Sequence, residues 1–182
     1  MQPTLLFVSG TGILIWLSRK ALAKPGSHGF YRFFSWEAIL ALVVMNREPW
    51  GEDPYSPHQF ASWMLMLLSI FLVVAGIVSL KLHGKAGAAR EDGSFYEFEK
   101  TTALVSSGIF AYIRHPMYAS LLALTWGAYF QDPSPAGTII AVLGSVFLFL
   151  TARTDERECL GFFGDAYAEY MRRTRRFIPF IL

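Results

Sequence analysis

At 182 residues the chain has the length of one domain, and it is 53% hydrophobic with only 16% charged residues and a mean hydropathy of +0.36. Soluble domains carry about 25% charge, so the composition points to a membrane protein. The net charge of +2 makes no case for a nucleic-acid partner, and the single Cys159 excludes an internal disulfide.

The first apolar stretch, residues 3–18, has its positive charges after it and not before it, which reads as a first membrane helix and not as a signal peptide. Residues 30–46 form a second apolar run that contains Arg32 and Glu37. The strongest span is "FASWMLMLLSIFLVVAGIVSL", 60–80, which holds no charge and matches the roughly 20 residues a crossing needs. Residues 116–130 and 136–152 predict a helical hairpin around "QDPSP", with each arm short enough to require tilt or a shared core. The expectation is an all-α, polytopic membrane protein with about five transmembrane helices and a C-terminal amphipathic cytosolic helix.

Basic residues set the orientation. Residues 19–32 carry Arg19, Lys20, Lys24 and Arg32 without an acid, whereas 47–59 carry Glu48, Glu52 and Asp53 against one arginine. Residues 81–115 hold Lys81, Lys85, Arg90, Lys100 and Arg114, and the tail from 153 holds six arginines. This alternation places 81–115 and 153–182 together on the cytosolic face.

Two polar stretches stand out. In "GIFAYIRHPMY", 108–118, Pro116 suits a first helical turn and disfavours helical angles at His115, so a helix begins at Pro116 with His115 as its cap. Its first N–H groups, with Arg114 alongside, suit an anion such as a carboxylate. An Arg and Tyr anchor at the membrane boundary is the competing reading. In "RTDERECLGFFG", 153–164, Asp155, Glu156 and Glu158 conflict with a helix C-terminus, so the helix is expected to run on into the cytosol, with Arg153 and Arg157 pairing with the neighbouring acids. Further on, Phe163, Tyr167, Tyr170 and Met171 form one apolar face ahead of Arg172, Arg173, Arg175 and Arg176. That pattern predicts a helix lying on anionic lipid, with direct contact to a substrate as the alternative. No CxxC or HExxH pattern occurs, and His28, His58, His83 and His115 lie far apart in sequence, so no metal is expected.

"LVSSGIFAYIRHPMYAS", a short hairpin and then "DERECLGFFGDAYAEYMRRTRRFIP" together resemble the isoprenylcysteine carboxyl methyltransferase family, part of a wider group that includes the phospholipid N-methyltransferases. The likeness covers roughly 100–180. It implies one methyltransferase domain over 1–182, with membrane helices in 1–99 and a catalytic core in 100–182. It further implies S-adenosylmethionine as methyl donor, in the endoplasmic reticulum of a eukaryote or the inner membrane of a bacterium, with a cytosolic site. Carried over by position, Leu104, Val105, Phe110, His115, Pro116, Met117 and Tyr118 would bind the cofactor, completed by Asp155 or Glu156. Phe110 stands where the family often has Tyr, and Asp155 where it prefers Glu. Thr151 falls where the prenylcysteine enzymes carry an arginine facing the substrate carboxylate, with Arg153 nearby as the substrate candidate.

This set suits the cofactor chemically: Arg114 and the helix start for its carboxylate, Asp155 or Glu156 for its cations, Phe110 and Tyr118 for adenine and sulfonium. The same acids could take a proton from an amine acceptor. The acceptor is a prenylcysteine carboxylate, a phospholipid amine or a smaller lipophilic metabolite. A non-catalytic membrane scaffold that keeps this fold is the reading from another class.

Overall fold

A computed structural model describes residues 2–84 and 103–179. Among these, every regular element is helical apart from one β-bridge. The helices are α1 (Pro3–Leu22), α2 (His28–Met45), α3 (Pro57–His83), α4 (Pro116–Tyr129), α5 (Pro135–Phe163) and α6 (Asp165–Arg173), with a 3-10 turn at Gly108–Ala111 before α4. The expected basic residues Lys85, Arg90 and Lys100 lie outside the described residues.

Local sequence explains the helix starts. Ser27, Ser56 and Ser134 stand at N-caps, and their hydroxyls accept from Phe30, Gln59 and Gly137 N–H. Pro57 and Pro135 then occupy the first turn, where a missing N–H costs nothing.

Three of these helices, α1, α3 and α5, are long and apolar enough to cross a membrane. They expose large apolar side chains such as Ile13, Phe71 and Val142, which suits lipid contact. The 14-residue α4 is about 21 Å long, short of a bilayer core of roughly 30 Å. It lies enclosed, with Tyr118, Ala119, Leu121, Ala123 and Ala128 all buried. The core joins Ile39 of α2, Tyr118, Ala119 and Leu121 of α4, and Leu148 and Ala152 of α5, closed by Ile113 and Phe177. Polar side chains fasten the far end of α4. Asn46 Nδ2 donates to Ala128 O at 2.8 Å, and Ser62 Oγ donates to Gly127 O at 2.6 Å.

Two features frame the other end. Gly108 has φ 62°, a left-handed conformation that favours glycine, and a side chain there would run into Ser79 Oγ of α3. Gly76, one turn earlier on α3, makes room for α4, since a Cβ there would lie 3.1 Å from Met117 Cγ. The chain after α6 then returns alongside the segment before α4. Arg114 N–H donates to Arg175 O at 2.7 Å, His115 N–H to Arg176 O at 3.1 Å, and Arg175 N–H to Tyr112 O at 3.2 Å.

α5 runs on as a helix through Asp155, Glu156 and Glu158 to Phe163, as expected. The partners of these acids differ from the expectation: among the described residues they pair with other elements, while Arg153 and Arg157 are exposed. The tail is also corrected. Tyr167 and Tyr170 are buried at 4% exposure each, against Cys159, Leu104 and Phe163. The aromatic face of α6 is therefore turned into the protein and not onto a lipid surface.

Candidate active site

The segments before α4, at the end of α5 and in α6 line one half-open pocket with a cavity volume of about 100 Å³. Its lining brings together nine expected residues: Leu104, Val105, Phe110, Arg114, His115, Pro116, Met117, Tyr118 and Asp155. Leu80 and Cys159, which were not expected there, complete it with Phe163, Tyr167 and Tyr170, the stripe for which substrate contact was the alternative reading. The spacing of Phe163, Tyr167 and Tyr170 was visible in the sequence, but the pattern does not tell a lipid face from a cavity face. Neither Glu156 nor Arg153 is in the lining.

His115 occupies the N-cap position of α4, but its side chain makes no cap bond. That part of the expectation is corrected, because the imidazole is held elsewhere. It stacks on Tyr118 with ring centroids 5.2 Å apart, and its two nitrogens face two carboxylates: Nδ1 lies 3.5 Å from Asp155 Oδ2 and Nε2 3.5 Å from Glu156 Oε1.

The neighbouring acids do different work. Glu156 is buried beneath the cavity and holds two arginines. Arg114 Nε donates to its Oε1 at 2.9 Å, while Arg176 donates from Nε at 3.1 Å and from Nη2 to Oε2 at 2.6 Å. Arg114 Nη1 also donates to Met171 O and to Thr174 O, tying α6 and the returning chain to the same centre. Charge-assisted bonds of this kind are the strong ones, and a buried carboxylate needs them. Asp155 faces the cavity instead. Tyr118 Oη donates to its Oδ2 at 3.2 Å, and Cys159 Sγ lies 3.6 Å from its Oδ1.

Aromatic groups surround this carboxylate. Tyr170 Oη donates to Phe110 O at 2.7 Å, which joins α6 to the 3-10 turn. Burial pushes the Tyr167 and Tyr170 phenols well above their ordinary range, so both present neutral rings. A carboxylate among neutral aromatic faces is suited to a cation, by charge pairing and by cation–π attraction.

Arg153, the expected substrate residue, is exposed. Thr151 is buried and spends its hydroxyl on Phe147 O at 2.7 Å.

The phospholipid methyltransferase family model matches residues 58–167. A methanethiol S-methyltransferase of a Pseudomonas species is 22% identical over 147 residues, 81% of this chain and 54% of that protein. A methanethiol S-methyltransferase of Crocosphaera subtropica is 23% identical over 180 residues, 91% of this chain and 66% of that protein. The protein-S-isoprenylcysteine O-methyltransferase of Homo sapiens is 34% identical over 87 residues, 47% of this chain and 30% of that protein. The chain thus spans about half the length of the first curated relatives it matches. No solved structure gives a significant match.

Proposed function

The chain belongs to the phospholipid methyltransferase family, and from that premise we propose that it transfers a methyl group from S-adenosylmethionine to a lipophilic acceptor at the cytosolic side of a membrane. The whole of 1–182 acts as one methyltransferase domain in this reading, with the core in 100–182. The observation that carries it is Asp155, a carboxylate set beside Arg114 and His115 in the wall of a mostly apolar and aromatic cavity at the start of α4.

The residues present suit the donor. Asp155 meets its cationic groups, and Phe110, Tyr118, Tyr167 and Tyr170 offer ring faces to the adenine and the sulfonium. Its carboxylate goes to the start of α4, where Arg114 adds positive charge. When bound, the donor supplies an electrophilic methyl group. The protein's own part is to orient, to exclude water through Leu80, Leu104, Val105 and Met117, and to keep charge balanced. Glu156 acts from behind as a positioning residue: it fixes Arg114, Arg176 and, through them, the returning chain.

The acceptor reading follows from Arg153 and Thr151. Neither offers a cation to the cavity, which supports an acceptor without a carboxylate, a thiol or an amine, over a prenylcysteine carboxylate. The long alignments with methanethiol S-methyltransferases support the same choice.

Equilibrium binding of labelled S-adenosylmethionine to the purified protein in detergent tests the proposal. Binding by the wild type, and its loss on His115→Ala combined with Asp155→Asn, is expected. A wild-type protein that binds no donor would favour the membrane scaffold instead, and undiminished binding by the double variant would reject this pocket.

A further inference from the structure

Asp155 lies within 4.8 Å of a second histidine, His28. Glu158 stands three residues further along α5 and so shares a face with Asp155. Glu158 Oε1 accepts the backbone N–H of His28 at 3.1 Å, and its Oε2 lies 2.6 Å from His28 Nδ1. One polar atom from each of His28, Asp155 and Glu158 falls within 4.8 Å of the others. Exposure rises at the far end of the group: the His28 side chain is 0% exposed, Asp155 14% and Glu158 28%.

A shared metal ion fits this geometry poorly. Two tetrahedral ligands at ordinary bond lengths stand about 3.3 Å apart, whereas 2.6 Å between Nδ1 and Oε2 is the distance of a shared proton. Nor does His28 line the cavity. What the arrangement offers is a row of titratable groups within 4.8 Å of one another, from the cavity wall to a carboxylate partly open to water.

We propose that His28 and Glu158 form the exit path for the proton that a thiol or amine acceptor gives up on methylation. The inference rests on the methyltransferase reading above. In the thiol case a sulfur lone pair forms the new S–C bond, and the pair of the broken donor C–S bond stays with the donor sulfur. The S–H proton passes to Asp155, leaving its bonding pair on the acceptor sulfur as a neutral thioether. The His28 imidazole takes the proton at one nitrogen as the other gives one to Glu158, and Glu158 releases it to water. A carboxylate acceptor has no proton to lose, and the path is then idle.

The charged and titratable neighbours fit a relay. His28 is faced by Arg32 from its own helix and by Asp155 and Glu158 from α5. Asp155 is faced by His115 and Tyr118 at the start of α4 and by Cys159 one turn on.

Two measurements on the full chain in detergent test this. The first uses the protein without donor. With histidines isotopically labelled and the His28 signal assigned by its loss in H28N, the imidazole is titrated by NMR. D155N should lower its midpoint by about half a pH unit or more, since a nearby negative charge is removed. The second compares octanethiol with N-acetyl-S-farnesylcysteine as methyl acceptors. H28N should lower the ratio of thiol to carboxylate turnover by about tenfold or more, within the span of general acid–base effects, and E158Q should flatten the pH profile for the thiol. An unmoved midpoint in D155N, or equal slowing of both acceptors in H28N, would overturn the relay. The titration decides alone where neither probe is methylated. Failure of the wild type to bind the donor counts against the methyltransferase reading and is scored separately.

Discussion

Arg114 and Glu156 stand 42 positions apart and meet in a 2.9 Å bond from Nε to Oε1, with side chains only 8% and 5% exposed. Arg176 closes the same carboxylate from the other side. Removing the acid would leave the buried Arg114 guanidinium with only neutral hydrogen-bond partners. Glu156→Gln should therefore destabilise the protein by about 3 kcal/mol, the usual scale for breaking a buried pair from one side. Thermal unfolding in detergent measures this, and an unchanged midpoint would show the centre to be dispensable.

Asp155 predicts the opposite pattern. Its contacts are one tyrosine hydroxyl, one thiol and an imidazole at 3.5 Å, so Asp155→Asn should keep most of the stability. Donor affinity should fall by roughly ten- to a hundredfold, the equivalent of losing a charged hydrogen bond of about 1.5–3 kcal/mol. Calorimetric titration with S-adenosylmethionine separates the two acids: Glu156 governs melting and Asp155 governs binding.

Gly108 tests how the cavity is assembled. Gly108→Ala places a side chain at φ 62° and against Ser79. The left-handed conformation alone costs about 1–2 kcal/mol, and the clash adds to it. Adding Ser79→Gly should relieve the clash and leave the conformational cost, so the double variant should melt between the wild type and Gly108→Ala. Equal melting of the single and double variants would show that α3 does not seat this turn.

Alkaline stability follows from the two buried tyrosines of α6. The phenols of Tyr167 and Tyr170 are pushed above their ordinary value of 10.0, chiefly by burial. A raised folded pKa means that the unfolded chain loses these protons first. Their contribution is intact below about pH 10 and falls as pH rises beyond it. Melting midpoints measured upward from pH 8 should decline more steeply in the wild type than in Tyr167→Phe.

Much of this was legible in the residues. A charge-free run of helix length marks α3, and a proline after a break marks the start of α4. The wall from Leu104 to Tyr118 lies within one stretch, and it was the family resemblance that picked out its members as a set. The division of labour between Asp155 and Glu156 was not legible. Adjacent residues on a helix point about 100° apart, and only the packing of α5 reveals which faces the cavity and which faces the arginines. The tyrosine stripe of α6 was visible as a stripe, but amphipathicity is the same signal whether the apolar side meets lipid or protein. His28 gave no signal at all. Its partner is 130 positions away, and no local pattern anticipates such a meeting.

The bond from Arg114 N–H to Arg175 O and its neighbours also constrain biogenesis. A ribosome delivers the chain from its N-terminus, and segments fold as they emerge. The wall at Phe110 to Tyr118 is made long before residues 174–176 exist to clasp it. Until residues 174–176 arrive, Glu156 lacks one arginine and the amides of Arg114 and His115 lack their acceptors. A nascent chain can thus insert its hydrophobic helices before the pocket wall is clasped, and the site is completed only after residue 176 has emerged.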